Sequence, residues 1–227
     1  MGILSKQIKK TKQSEKKKSS PYSVDDCVFS PTGIDLIDFY GGTAYNDSYN
    51  IGLPLGKVTM LIGHSQSGKT TAAIQFAHAI TSGRNGDVVI FDFERASTNP
   101  KNRICKICGI SESEYEDQFT IFNQSTMTAD FMKKFIFDDI IAPKKALGKE
   151  DMIDWTDLDG KPTKIYPPTV LIIDSVSAIR SKEMLESKEL DSNMAGASIA
   201  KSNSNFITSI EPFLEEYNIT ILAIGHI

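Results

Sequence analysis

The sequence predicts an α/β protein whose core is a mostly parallel β-sheet flanked by helices. Short apolar runs alternate along the chain with segments of helical periodicity, which is the order of a βαβ architecture. Several of these runs are apolar without interruption, as expected for strands that helices cover on both faces. A glycine-containing motif at residues 63–70 separates the first such run from a helical pattern. Because ligands of such folds bind at the carboxyl ends of the strands, we expect a site at that edge of the sheet.

The order of elements is regular. A brief helix within residues 29–42 and a polar loop precede the first strand. The predicted strands cover residues 57–62, 87–93, 118–122, 169–174 and 219–225. The predicted helices cover residues 71–83, 100–110, 128–141 and 195–217.

The motif at residues 63–70 is a complete G-x-x-x-x-G-K-[ST] phosphate loop, and it predicts a site for a nucleoside triphosphate such as ATP. Glycines let the backbone wrap the phosphates, and the following helix offers its N-terminal N–H groups to the anion. Lys69 is expected to reach the β- and γ-phosphates, and the Thr70 hydroxyl to bind Mg²⁺. The predicted nucleotide-binding residues of the loop are Gly63, His64, Ser65, Gln66, Ser67, Gly68, Lys69, Thr70 and Thr71.

The composition indicates one α/β domain with a tail. The chain has 227 residues, 40% of them hydrophobic and 24% charged, and no apolar run long enough to span a membrane. Its start lacks an apolar signal core, so we expect a cytoplasmic protein without membrane contact. Three cysteines, Cys27, Cys105 and Cys108, are too few for a disulfide framework or a zinc site, which favours reduced structural thiols.

Charge is distributed unevenly between the tail and the remainder. Residues 1–18 contain seven lysines and one glutamate, which leaves the remainder at a net charge of about −10. The simplest interpretation of residues 1–28 is a solvated basic tail. The alternative is an arm that binds nucleic-acid phosphates or docks on an acidic body.

The core is predicted to span residues 29–227, with an insert at residues 143–168. Asp159-Gly160 lies between two modest apolar runs of this insert, which favours a β-hairpin. Trp155 and Tyr166 either contact a partner or anchor the insert to the domain. Anchoring is the commoner role of such aromatic side chains, and we favour it here.

Three polar residues follow the ends of predicted strands. The strand at residues 169–174 ends in Asp174, a Walker-B pattern that predicts a second Mg²⁺ site residue. Glu94 follows the strand at residues 87–93, where a carboxylate could deprotonate the attacking water, and hydrolysis is therefore the expected reaction. His226 ends the strand at residues 219–225 and is predicted to sense the γ-phosphate, which makes Glu94, Lys69 and His226 the candidate catalytic residues.

The order of these motifs resembles the RecA-type strand-exchange recombinases, most closely their phage-encoded branch. The likeness rests on Ser30-Pro-Thr-Gly, the phosphate loop, Phe91-Asp-Phe-Glu94, Leu171-Ile-Ile-Asp-Ser175 and Ile224-Gly-His226. It implies a RecA-like P-loop NTPase core that binds ATP and Mg²⁺ and assembles on single-stranded DNA as a helical filament. It also implies a role in recombination and repair, in a host cytoplasm if the gene is of phage origin, and stacking of Arg103 on the adenine.

The same resemblance places a DNA-binding loop after Asp174, at about residues 181–196. It implies that a second DNA loop and further strands would follow His226, so the sheet is expected to lack its last strands. The candidate DNA-binding residues are Arg180, Met194, Gly196 and Lys201.

Three other functions remain open at this stage. A hexameric helicase or clock-type ATPase shares the fold, although Ser175 after Asp174 favours the recombinases. A small-molecule kinase would need an arginine-rich lid, and none is evident. A regulator that binds nucleotide without turnover is disfavoured by Glu94.

Overall fold

The computed structural model describes residues 28–41, 43–45, 48–95, 99–124, 127–156, 162–179 and 192–227. The basic tail up to residue 27, the Asp159-Gly160 turn and Arg180 lie outside these ranges. Among the described residues, no helix combines the length and hydrophobicity that crossing a membrane requires.

The described elements follow the predicted alternation of strands and helices. The strands are β1 (Phe29–Ser30), β2 (Thr43–Tyr45), β3 (Ser48–Asn50), β4 (Leu53–Pro54), β5 (Val58–Gly63), β6 (Asp87–Asp92), β7 (Phe119–Phe122), β8 (Ile153–Thr156), β9 (Pro162–Ile165), β10 (Thr169–Asp174) and β11 (Ile219–His226). The helices are α1 (Asp35–Gly41), α2 (Lys69–Thr81), α3 (Pro100–Cys108), α4 (Glu112–Gln118), α5 (Ala129–Phe135), α6 (Ala142–Lys145) and α7 (Ser192–Glu216), with a π-helical segment, Ile136–Ile141, joining α5 to α6.

The central sheet confirms the predicted fold class. In the part of the chain that the structure describes, five strands pair in the order β5-β11-β10-β6-β7, and every pair is parallel. All six residues of β10 are buried, because this strand lies at the centre with a neighbour on each side and helices on both faces. The uninterrupted apolar runs in the sequence arise from this double coverage.

Each face of the sheet supports its own hydrophobic cluster. Leu171 and Ile173 point into the cluster beneath α5 and α7, while Val170 and Ile172 point into the cluster beneath α2, α3 and α4. This alternation follows from the two-residue period of a strand. A one-residue slip of β10 would exchange the faces to which its side chains point and would move Asp174 out of line with its neighbours.

Several local features differ from the sequence-based expectation. The segment expected to be a polar loop contains the antiparallel pair β2 and β3. Helix α4 was not predicted because it has only seven residues, yet Ser111 and Glu114 form a reciprocal capping box at its start. The helix expected to end at residue 141 continues through α6, so residues 143–145 belong to it rather than to the insert.

The insert contains an antiparallel hairpin that contacts the core through its aromatic side chains. Strands β8 and β9 pair from Ile153 opposite Ile165 to Thr156 opposite Pro162. Trp155 packs against the cluster beneath α2, and the Arg84 guanidinium lies 4.8 Å from the centroid of its ring. Tyr166 packs against the other cluster. These contacts agree with the anchoring role that the sequence favoured for both residues.

Lys144 carries a buried amine that joins three parts of the chain. Its side chain, in a residue only 7% exposed, donates to the carbonyl oxygens of Pro167 at 2.7 Å and Tyr217 at 2.8 Å. Burial lowers the pKa of this amine to about 7, and the nearby carboxylate of Asp87 opposes the shift only in part. The amine therefore ties α6 to the chain segments that enter β10 and β11.

We expect Lys144 to make folding stability rise with pH. Its pKa is about 7 in the folded protein against an ordinary 10.5, so between these values the unfolded chain binds more protons and unfolding becomes less favourable as pH increases. Chemical denaturation from pH 7 to pH 10 should show a gain of about 3 to 4 kcal/mol in the wild type relative to Lys144→Met.

The matched control for this experiment is Lys145→Met, because Lys145 is the exposed neighbour of Lys144. This variant should keep the wild-type pH slope. If the free energy of unfolding changed equally with pH in Lys144→Met and in the wild type, the lowered pKa of Lys144 would be contradicted.

Candidate functional site

Parallel pairing brings the predicted site residues to one edge of the sheet. Asp174, the last residue of β10, is in register with Asp92 on β6 and with Ile224 on β11. His226 is in register with Gly63, where the phosphate loop begins. Four strand ends therefore meet around Asp174, as the sequence predicts from the carboxyl ends of parallel strands.

The loop between β5 and α2 has the backbone geometry that an anion site needs. Gly68, the residue immediately before α2, has φ of +87°, and Gln66 adopts a positive φ of 62° although it is not glycine. A Cβ on Gly63 would lie 3.1 Å from Ser67 Oγ, so a side chain there would crowd the loop. These features suit the phosphates of ATP, whose close approach requires small residues and free N–H groups.

Lys69 lies across this loop. Its Nζ donates to the carbonyl oxygens of Gly63 at 2.8 Å and His64 at 2.6 Å. These bonds hold the ammonium over the loop, and its contact with the β- and γ-phosphates stays a prediction. His64 contributes its backbone carbonyl to this arrangement.

Thr70 and Asp174 form the candidate Mg²⁺ site. The Thr70 hydroxyl donates to Asp174 Oδ2 at 2.7 Å, and Asp174 is only 4% exposed. Burial raises the pKa of the Asp174 carboxyl, the hydrogen bond from Thr70 lowers it, and the charges of Glu94 and Asp92 raise it further. A bound divalent cation would compensate this buried negative charge, and the oxygen ligands are those that Mg²⁺ prefers.

Glu94 and His226 contact each other directly beside this pair. His226 Nε2 and Glu94 Oε1 share a hydrogen bond of 2.7 Å, and both side chains are about one third exposed, at 30% and 35%. Ligand atoms of Glu94, Asp174 and His226 lie within 4.8 Å of one another. The structure thus brings together the predicted base, sensor and metal ligand.

The backbone of the turn that carries Glu94 is tied to β10. The Asp174 carbonyl oxygen accepts hydrogen bonds from the N–H groups of Phe93 at 2.7 Å and Glu94 at 3.3 Å. The Asp92 carboxylate accepts the Arg95 N–H at 2.7 Å. These bonds hold Glu94 at the sheet edge. Asp92 is not among the predicted site residues, although its position at a strand end in Phe91-Asp-Phe-Glu94 is a signal for such a residue.

Arg103 lies next to the phosphate loop. Its Nη2 donates to Thr71 Oγ1 at 3.4 Å, and it lines a small crevice together with Thr70, Asp92 and Asp174. Helix α3 presents Arg103 there because Pro100 starts the helix and Asn99 caps it by accepting the Asn102 N–H. Stacking on the adenine stays a prediction.

The predicted DNA-binding residues are only partly described. Arg180 lies outside the described ranges. Met194 and Gly196 belong to the first turns of α7, and Lys201 is exposed further along this helix. Asn203 donates to the Val176 carbonyl at 2.9 Å, which places this part of α7 beside the segment that follows Asp174.

Comparison with known proteins identifies the family. The AAA domain family matches residues 45–227, a range that includes every described residue of the site. The chain belongs to the AAA domain family. It therefore carries an AAA-type ATPase domain, and nucleotide binding and hydrolysis follow from that membership. No curated protein matches the chain.

We expect Asp174→Asn to stabilise this AAA domain while abolishing its activity. Because burial raises the pKa of Asp174, the ionised carboxylate costs folding free energy at neutral pH, and Asn removes the charge while keeping an oxygen that accepts from Thr70. Without nucleotide and Mg²⁺, the free energy of unfolding should rise by about 1 kcal/mol at pH 7. ATP hydrolysis should fall by roughly 100-fold or more.

The gain in stability should disappear at about pH 3, where the wild-type carboxyl is protonated in both states. Asp117→Asn, an exposed carboxylate on α4, is the control and should change neither quantity. A loss of stability in Asp174→Asn at pH 7 would refute the explanation.

We expect Asp92 to act through the position of Glu94. Asp92→Asn keeps an acceptor for the Arg95 N–H and should retain most of the kcat for ATP hydrolysis. Asp92→Ala removes the acceptor, so the turn loosens and kcat should fall by about tenfold or more. Equal losses in both variants would show instead that the charge of Asp92 is what matters.

Proposed function

We propose that the chain is an ATPase of DNA recombination and repair that binds single-stranded DNA as a helical filament and hydrolyses ATP. The observation that carries this proposal is the hydrogen bond between Glu94 and His226 beside the Thr70–Asp174 pair. A candidate base and a candidate sensor are in contact at the predicted position of the γ-phosphate. The motif order and Ser175 after Asp174 favour the recombinase type within the fold.

The residues of the loop would bind the phosphates of ATP. The N–H groups at the start of α2 and the Lys69 ammonium would neutralise the charge of the phosphates, and Thr70 and Asp174 would hold the cation. Mg²⁺ held there would supply further positive charge to neutralise the phosphates. Arg103, beside Thr71, is placed to contact the nucleotide from α3.

Glu94 would activate the attacking water. Its backbone N–H donates to the Asp174 carbonyl, which keeps the residue at the strand ends, and its carboxylate is partly exposed, so it can accept a proton from water in line with the γ-phosphate. Glu94 and a γ-phosphate oxygen would compete for His226, since its ring can form a hydrogen bond with either of them. Exchange between these partners would couple the nucleotide state to the position of β11.

DNA binding is supported by the placement of α7. The first half of this helix lies beside the segment that follows Asp174, through the bond from Asn203 to the Val176 carbonyl. Lys201, Met194 and Gly196 belong to this helix, and Arg180 lies outside the described residues. A shift of Asp174 on hydrolysis could be transmitted along this contact to bound DNA.

The test is ATP hydrolysis with and without single-stranded DNA. The wild type should hydrolyse ATP faster when DNA is added, and the stimulation should weaken with salt because phosphate contacts release counterions. Glu94→Gln should lower kcat by about 10²-fold or more while retaining ATP binding. Light scattering should report filament growth on DNA with ATP in both proteins.

Glu112→Gln is the matched control. Glu112 is an exposed carboxylate on α4, and its partner Lys101 also bonds Glu116, so this change should leave turnover unaltered. A rate of ATP hydrolysis that does not change when DNA is added would refute the recombinase proposal. It would favour a hexameric helicase-like or clock-type ATPase. Absence of turnover with intact ATP binding would favour a nucleotide-binding regulator.

A further inference from the structure

A second cavity lies at the opposite edge of the sheet from the phosphate loop. Asp87 and Thr169, the first residues of β6 and β10, line it, and its volume is about 660 Å³. The helix that runs from α5 into α6 and the start of the insert form its walls. Their apolar side chains are Phe135, Ile140, Pro143, Leu147, Met152 and Ile153.

Negative charge dominates this cavity. Among the lining residues, the ionisable side chains are those of Asp87, Asp139, Lys144, Glu150 and Asp151. Lys144 offsets little of this charge, because two carbonyl oxygens bind its amine and burial favours its neutral form. The walls are apolar and the rim is acidic, which suits a cation on an apolar stem.

One polar group of the cavity points to a ligand independently of the acidic rim. Thr169 is only 2% exposed, and its hydroxyl has no hydrogen-bond partner among the described residues. A buried hydroxyl without a partner costs free energy that an incoming donor would recover. An ammonium group is such a donor, and a lysine side chain carries it on the apolar stem that the walls require.

The described chain begins close to this cavity. The Arg84 side chain donates to Ser30 Oγ at 3.3 Å and lies over the ring of Trp155. Asn85, the next residue after Arg84, lines the cavity, as does Ile153, two residues before Trp155. Strand β1 thus enters the fold beside the cavity rather than beside the phosphate loop.

We propose that lysine side chains of residues 6–18 dock in this acidic cavity of their own chain. This segment contains all seven lysines of the tail. The nine residues 19–27 connect it to Val28 and can span up to about 30 Å, which is ample for a cavity that adjoins the residues contacting β1. Docking would bring the positive tail against the acidic body, and the proposal is independent of the nucleotide site.

The experiment measures lysine reactivity in the full chain. Amines are acetylated at low ionic strength under limiting reagent, and mass spectrometry gives a rate for each lysine. Lysines 6–18 should react about three- to tenfold more slowly in the wild type than in the double variant Asp139→Asn/Glu150→Gln. The difference should vanish in about 0.5 M salt, because Asp139 and Glu150 are exposed carboxylates and the Debye length at that ionic strength is below about 5 Å.

The control is Asp117→Asn/Asp138→Asn, which changes the net charge equally and alters exposed carboxylates outside the cavity. It should retain the slow wild-type rates. Equal rates in all three proteins would overturn the proposal. Faster reaction in both double variants would also overturn it, because net charge and not the cavity would then control the tail.

Zero-length carbodiimide cross-linking of the wild type provides a test that needs no variant. Amide links from lysines 6–18 to Asp87, Asp139, Glu150 or Asp151 would support docking. Links confined to other carboxylates would overturn it. In a mixture of isotopically labelled and unlabelled chains, links formed only between different chains would overturn docking within one chain in favour of a second copy as the occupant.

Discussion

The buried carboxylate of Asp174 is the group around which the site is organised. It ends the central strand of the sheet, where neighbours on both sides and helices on both faces fix its position. Its side chain accepts from Thr70, and its carbonyl oxygen accepts from the turn that carries Glu94. The phosphate loop and the candidate base are therefore both positioned from one residue, whose own charge is unfavourable without a cation.

The two edges of the sheet have different chemistry. At the carboxyl ends of the strands, partly exposed side chains, the backbone N–H groups of the phosphate loop and a buried carboxylate suit a triphosphate and its cation. At the opposite edge, Lys144 satisfies the carbonyls of Pro167 and Tyr217, and acidic side chains surround an apolar cavity. A parallel sheet separates these environments because the amino ends of its strands all lie at one edge and the carboxyl ends all lie at the other.

Much of the fold could be predicted from the sequence, because burial on both faces leaves a continuous apolar run such as Thr169–Asp174. Strands and helices that bury few side chains leave no continuous apolar run in the sequence. The pair β2 and β3 forms in a polar segment, and α4 is short and depends on the capping box of Ser111 and Glu114. The extension of the helix to Lys145 was missed because Pro143 indicates a helix end, whereas here it lies in the first turn of α6.

The sequence by itself determined the candidate ligands of the phosphate and the cation, since glycine positions, Lys69 and Thr70 follow from what a local backbone turn can hold. It also placed Glu94, Asp174 and His226 at strand ends. Only the tertiary structure decided that Glu94 and His226 are in contact, that Asp92 supports their turn, and that Lys144 is buried. Strand order brings Glu94 and His226 together although they are 132 positions apart in the sequence, and no local pattern encodes that contact.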